Sequence, residues 1–555
     1  MNASEGRGRG MLQFAVGMAF GLAALCAAIP WAIPSARADG GADERAIPTA
    51  SGPLRGILAG PVKEYLGIPY AAAPVGALRW MPPQPFGRWH GVFSANAFGS
   101  VCPQTSGGDE DCLFLNVYTP RETAGPQQDT DEYGRGHEER AVMVWIHGGG
   151  LTQGAGSDFD PAPLVEEGGV IVVTINYRLG LLGFLAHPAL DSEGHLAGNY
   201  GLMDQQFALA WVQQNIRAFG GDGKRVTIFG ESAGGLSVYA QLASPLAAGL
   251  FARAIAQSGA YASFADYLGQ IVPIAQAETA GTPVVESGVA IAAALGCTSQ
   301  TAACLRGVAA SSLVSLTPHT VYPFVDAILL AQTPGAAFDS GNFNRVPVTT
   351  GTTHDEYRFQ VAEDYDLKKG VGPLKNADYA SAIAAAFRSL TPAQQSLVLA
   401  AYPLPPGAPA DAASLALGAA GTDGIFACTA RHALQALAQY VAIYAYEFND
   451  ENAPPPAGFP PLSFPLGAYH SADVQYVFDR LGVAPAFTSD QEQLSDAMIS
   501  YWTHFAKRGD PNSADRPFWA PYDPATDERM SFVPPKPAVE SGFAAAHQCA
   551  LWDLF

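Results

Sequence analysis

Apolar runs of strand length recur along the chain, separated by segments whose apolar positions repeat at helical spacing. Ala141–Ile146, Val170–Ile175, Arg225–Phe229, Ala252–Gln257, Val346–Thr350 and Val441–Phe448 are continuous enough to be strands buried on both faces. Asn199–Ile216 and Ser232–Ala243 read as helices between them. Strands that alternate with helices predict an α/β fold, a large and mostly parallel sheet with helices on both faces. Nearer the start, Gly52–Gly56 and Tyr65–Tyr70 read as short antiparallel strands at glycine turns, with Leu113–Tyr118 as another strand. Residues 360–440 are alanine-rich and helical, and are expected to cap one end of the sheet. Arg121–Arg140 is charged, glycine-bearing and aperiodic, so an exposed loop is expected there. Pro403–Pro409 and Pro454–Pro461 read as loops rather than domain linkers, and no internal repeat is found.

Composition adds a compartment to this picture. Residues 1–38 carry Arg7 and Arg9, an apolar run from Phe14 to Ile29, and the small-residue site Ala36-Arg37-Ala38. That order is the pattern of a signal peptide cleaved before Asp39, which predicts a secreted or periplasmic protein. The alternative is a retained anchor over Met11–Ile29. No other run is long and apolar enough to span a bilayer, so no stable span is expected in the mature chain. Loss of residues 1–38 removes Glu5, Arg7, Arg9 and Arg37, and moves the formal net charge from −21 to −23. So acidic a chain is a poor partner for nucleic acid or anionic membranes.

Of seven cysteines, six remain after Cys26 is lost with the leader. Six allow about fifteen pairings in an oxidising compartment. Cys102 with Cys112 and Cys297 with Cys304 stand out as close pairs, which leaves Cys428 and Cys549 for each other. No cysteine or histidine cluster has zinc-ligand spacing, so no metal is expected.

Candidate chemistry centres on Phe229-Gly230-Glu231-Ser232-Ala233-Gly234, between an expected strand and an expected helix. Gly230-x-Ser232-x-Gly234 at such a junction is a nucleophile elbow. A sharp turn lifts the serine hydroxyl clear of the sheet edge, and the flanking glycines allow close backbone approach. Upstream, Trp145-Ile146-His147-Gly148-Gly149-Gly150 ends a strand with glycines whose amides can donate to an oxyanion. A serine nucleophile needs a base, and the base an orienting carboxylate. His319, His354, His432, His470, His504 and His547 all follow Ser232, and spacing alone does not choose among them.

Three motifs together resemble the type B carboxylesterase and cholinesterase family. They are Gly230–Gly235, Glu110-Asp111-Cys112-Leu113 followed by Leu115-Asn116, and Gly198–Gln205. The resemblance runs from about Gly52 to the end of the chain and implies that residues 39–555 form a single α/β-hydrolase domain, with the antiparallel strands at its N-terminal edge. It implies Glu356, in Gly351–Glu356, as the carboxylate, and His470, in Gly467–Asp473, as the base. Tyr357 stands where the family has a small residue, which leaves Asp355 as an alternative acid. Amides of Gly149, Gly150 and Ala233 become the oxyanion donors, and Ser258 a serine close to the triad. The family's disulfides resemble the pairs Cys102–Cys112, Cys297–Cys304 and Cys428–Cys549. Its ion pairs resemble Arg79 with Glu110 and Arg178 with Asp204.

The expected activity is therefore serine carboxylesterase action on a small-molecule or polymer-derived ester, with no cofactor. An amidase or peptidase on the same triad, or a non-catalytic binding module, are the alternatives. The segment between Cys102 and Cys112 is too short to carry the aromatic residue that holds choline in cholinesterases, and Leu151 follows the glycines where an aromatic is usual. Trp145, Phe184, Tyr322 and Phe324 are candidates to line the pocket.

Overall fold

The structure is a computed structural model that describes residues 46–555 except 122–138, 263–269, 283–284, 319, 457 and 480–485. The expected signal peptide, most of the 121–140 loop and His319 lie outside the described residues. Eleven strands form one sheet among the described residues. They are β1 (Ile57–Ala59), β2 (Val62–Pro69), β3 (Phe114–Pro120), β4 (Arg140–Ile146), β5 (Ile171–Ile175) and β6 (Gly221–Glu231). Then come β7 (Arg253–Gln257), β8 (Val348–Thr353), β9 (Ile443–Phe448), β10 (Arg529–Phe532) and β11 (Ala538–Glu540).

Their spatial order is β11-β10-β9-β8-β7-β6-β4-β5-β3-β2-β1. Pairing is parallel from β10 through to β5. It is antiparallel at the N-terminal edge, and again where β10 meets β11. This is the expected α/β-hydrolase sheet. β8 runs past the apolar stretch that marked it, because Thr352 and Thr353 are buried by hydrogen bonds to Glu356.

The continuous apolar character of β4 has a direct cause, since both of its faces are covered. Val142, Val144 and Ile146 enter one core with Leu115, Val173, and Val238 of a covering helix. Met143 and Trp145 enter the opposite core with Phe229, Tyr446 and Trp502. Trp145 packs its ring 4.7–5.0 Å from those of Phe159, Phe229 and Phe478. It is core, as is Phe184, so neither lines the pocket by this placement.

On the first face lie α1 (Tyr200–Asn215) and α2 (Ala233–Ala243). The second carries a longer helix, Ser489–Arg508, started by a Thr488/Gln491 capping box and stopped by Gly509 in the left-handed region. Helices Tyr379–Ala386, Pro392–Ala401, Ala412–Gly421 and Cys428–Leu437 build a separate apolar cluster around Ile383, Phe387, Leu417 and Trp552. They account for the expected helical cap. A π-helical turn, Thr422–Ala427, interrupts it beside the strand ends.

All six cysteines among the described residues are bridged, as Cys102–Cys112, Cys297–Cys304 and Cys428–Cys549. The ion pairs also form, Arg79 to Glu110 at 2.5 Å and Arg178 to Asp204 at 2.7 Å. Thiol titration of denatured, unreduced residues 39–555 should therefore find no free cysteine. The Cys428–Cys549 bridge spans 121 residues. Its removal by paired Cys428→Ala and Cys549→Ala substitutions should cost roughly 2–5 kcal/mol of stability, read from denaturant unfolding.

Candidate active site

Three C-terminal strand ends of the parallel sheet bring the expected residues together. Ser232 follows β6, Glu356 opens a short helix, α3 (Glu356–Val361), just after β8, and His470 lies on a loop beyond β9. Open parallel sheets generally bind ligands at this edge.

Ser232 has φ 55° and ψ −121°, a region that L-residues avoid. The chain holds it there by close backbone approach. A Cβ on Gly234 would stand 2.0 Å from the Ile146 carbonyl, and one on Gly230 2.6 Å from the Gly234 backbone. The Gly-x-Ser-x-Gly pattern is thus a steric requirement of the turn. Gly148 lies against the same turn, where a Cβ would be 3.2 Å from that of Ser232.

Gly149, Gly150 and Leu151 follow with positive φ, which arches the loop beside the serine. Among the described residues no acceptor engages the Gly149 or Gly150 amide, and Ala233 opens α2, where the first amides lack intrahelical partners. His147 anchors the arch. Its ring stacks on Tyr177 at 4.4 Å, Nδ1 lies 2.9 Å from the Gly148 carbonyl, and the Tyr177 hydroxyl donates to the His147 carbonyl. Burial pushes the His147 pKa down to about 4, so the ring stays neutral.

His470 Nδ1 lies 2.5 Å from Glu356 Oε2. The other Glu356 oxygen accepts from the Thr352 hydroxyl at 2.5 Å and the Thr353 amide at 2.8 Å. Burial alone would raise the Glu356 carboxyl. The His470 charge, with the His470, Ser258 and Thr352 side chains, outweighs it and holds the group below its ordinary value. Ser258 has φ 51°, and its hydroxyl is buried without a hydrogen-bond partner of ordinary geometry. Asp355 points elsewhere: it accepts from the Ala468 amide and pairs with Arg358 at 2.8 Å.

Two further carboxylates surround the imidazole. His470 Nε2 faces Glu231 Oε1 at 3.2 Å, and the Ser471 hydroxyl donates to that same oxygen at 2.6 Å. No hydrogen bond joins His470 to Ser232 among the described residues. Such contacts commonly close only when substrate is bound. Asp473 is fully buried and accepts from Gln257 and Tyr446, and Gln257 in turn accepts from Trp502. Burial first, and then neighbouring carboxylates, raise Glu231 to about 7 and Asp473 to about 6. For His470 burial works downward, but Glu231 and Glu356 overcome it and push the imidazole up to about 9. Phe426, from the π-helical turn, covers the ring at 5.1 Å, and Tyr261 reaches the Ser232 side chain.

Glu231 and Asp473 sit inside the motifs that contain Ser232 and His470, yet nothing in those motifs marks either as a charge facing the imidazole. No local signal marks Tyr261 or Phe426. Of the expected pocket residues, Tyr322 lies near Tyr261, while Phe324 is buried in a short strand.

Comparison with known proteins identifies the family. The profile of the carboxylesterase family matches residues 43–552. Acylcarnitine hydrolase of Mus musculus is 32% identical over 513 residues, covering 86% of this chain and 84% of its own. Para-nitrobenzyl esterase of Bacillus subtilis (strain 168) is 32% identical over 520 residues, 87% of this chain and 94% of its own. A solved structure of PNB esterase superposes with a TM-score of 0.73 at 30% identity, over 92% of this chain and all of that one. With an elbow serine, a glycine arch and a histidine–carboxylate pair at one sheet edge, and with the family matched along nearly all of its length, the chain belongs to the carboxylesterase family and is a carboxylic ester hydrolase.

Proposed function

We propose that hydrolysis proceeds through an acyl-enzyme on Ser232, with His470 as base and Glu356 as its orienting carboxylate. The observation that carries this reading is the buried 2.5 Å contact from His470 Nδ1 to Glu356, beside the strained turn of Ser232. Ser232 Oγ forms a bond to the ester carbonyl carbon and passes its proton to His470 Nε2. Electrons move to the carbonyl oxygen, where amides of Gly149, Gly150 and Ala233 donate to the new charge. Collapse breaks the bond to the alcohol, which leaves with the proton from His470. Water repeats the sequence and releases the acid. Every proton is carried by these side chains, so the cycle needs no cofactor.

Mass spectrometry after treatment with an organophosphate tests the assignment. One phosphoryl adduct on Ser232, with loss of activity, is expected; full inhibition with an unmodified Ser232 would overturn it. The nine-residue stretch between Cys102 and Cys112 supports uncharged esters over choline esters. Relatives named for acylcarnitine, cocaine and para-nitrobenzyl substrates support esters rather than amides.

The rate should depend on pH through the base. His470 accepts the serine proton only when neutral, and its ionisation lies above the ordinary 6.5, near 9. Log kcat/KM should therefore rise with pH through neutrality and level off on the alkaline side. Glu231→Gln should move that rise to lower pH, since it removes one of the charges that favour the imidazolium. A rise centred below 6.5 in the unsubstituted enzyme would contradict this.

Residues 1–38 are proposed as a cleaved signal peptide, with residues 39–555 as one domain in a secreted or periplasmic enzyme. Three disulfides support an oxidising compartment. No described helix is long and apolar enough to cross a membrane.

A further inference from the structure

A second cluster of titratable side chains lies away from Ser232, where three distant segments of chain meet. His354 follows β8, Glu447 is in β9, and His547 comes from the segment that carries Cys549. One ligand atom from each lies within 4.8 Å of the other two. His354 Nδ1 is 2.7 Å and His547 Nε2 2.8 Å from the same oxygen, Glu447 Oε1. Glu447 and His547 are buried, while the His354 side chain is 38% exposed and leaves the cluster open to solvent on one side.

We propose that His354, Glu447 and His547 bind one divalent transition-metal ion of the zinc class. Three observations support the assignment. Two imidazoles and one carboxylate suit zinc and its neighbours, whereas calcium and magnesium prefer all-oxygen shells. Three protein ligands with one solvent-facing position form a recognised zinc arrangement.

The outer contacts are also those of a metal site. His547 Nδ1 lies 2.6 Å from Asp423 Oδ1, so this nitrogen holds the proton and Nε2 is directed at the cluster. Asp423 is itself fixed, accepting from the Tyr402 hydroxyl, which accepts from Trp552. Beside Glu447, the Glu540 carboxyl accepts from Asn449 through Oε2 and hydrogen-bonds to Glu447 itself.

Tetrahedral ligand atoms lie about 3.3 Å apart at zinc bond lengths, so the present contacts need to open by roughly half an ångström. Arg529 lies within electrostatic reach of Glu447 and pairs with Asp527 at 2.8 Å. The ligands lie 93 and 100 residues apart in sequence, which is why no zinc-ligand spacing marks them.

The test is to incubate the full-length mature enzyme with ZnCl2, remove excess by gel filtration, and measure metal per chain by atomic emission. One zinc per chain at micromolar protein is expected, with no retention of calcium from CaCl2. Cobalt(II) in place of zinc should give the intense visible absorption of a four-coordinate ion. His354→Gln, at the exposed ligand, should keep the circular dichroism spectrum and lose stoichiometric binding of zinc. Asp423→Asn should weaken binding by about 10–100-fold, as loss of an outer carboxylate does. No zinc on the unsubstituted enzyme, or equal zinc on a folded His354→Gln variant, would overturn the proposal.

Discussion

Ser232→Ala should lower kcat for a p-nitrophenyl ester by roughly 10⁴–10⁶-fold, with KM little changed. The substitution removes only Oγ. Alanine keeps the Cβ, so the turn at φ 55° is no more strained than before and the melting temperature should hold. The glycine contacts that fix the elbow involve backbone, not the hydroxyl. The remaining activity should come from the oxyanion donors and from binding, which act on an ester attacked by water. The variant should also fail to take up an organophosphate. A Ser232→Ala enzyme within tenfold of the parent would place the nucleophile elsewhere.

Glu356→Gln should cost roughly 10³–10⁴-fold in kcat, and the hydrogen bonds say why. Glu356 Oε1 accepts from the Thr353 amide, which can only donate. A glutamine must turn its carbonyl to that amide, so its NH2 faces His470 Nδ1. The imidazole then has to accept at Nδ1 and carry its proton on Nε2. That is the wrong tautomer for taking a proton from serine. Asp355→Asn should behave differently, since Asp355 holds Ala468 and Arg358 rather than the imidazole. A modest loss is expected from a loosened loop. Near-normal turnover in Glu356→Gln, beside a dead Asp355→Asn, would move the acid to Asp355.

Local patterns carried the sheet. β4 and β5 are apolar at successive positions because both faces are covered, and such runs are visible without any partner. α1 shows a blunter signal, since it is buried on nearly every side and its periodicity is correspondingly weak. The elbow and the glycine arch were readable because close backbone approach demands glycine at fixed spacing. His470 was not readable by spacing, since it meets Glu356 across 114 residues. Family resemblance is what implies it as the base. The charges around it carry no local mark in the sequence for a related reason. Glu231 and Asp473 become neighbours of the base only when separate strand ends converge. Trp145 sits next to the arch in sequence but points through the sheet into the opposite core, which one-residue alternation along a strand determines.

The bonds that surround the base also bear on how quickly a working enzyme can be regained after unfolding. Ser471 meets Glu231 over 240 residues, Asp473 meets Gln257 over 216, and Trp502 meets Gln257 over 245. Loops of that length close late, because the chain entropy they cost is repaid only by contacts at their far ends. Helices such as Ser489–Arg508 can form from local contacts well before then. On dilution from denaturant with the disulfides intact, ellipticity should thus return ahead of turnover. The interval between them would be populated by chains that have their secondary structure and cannot yet cleave an ester.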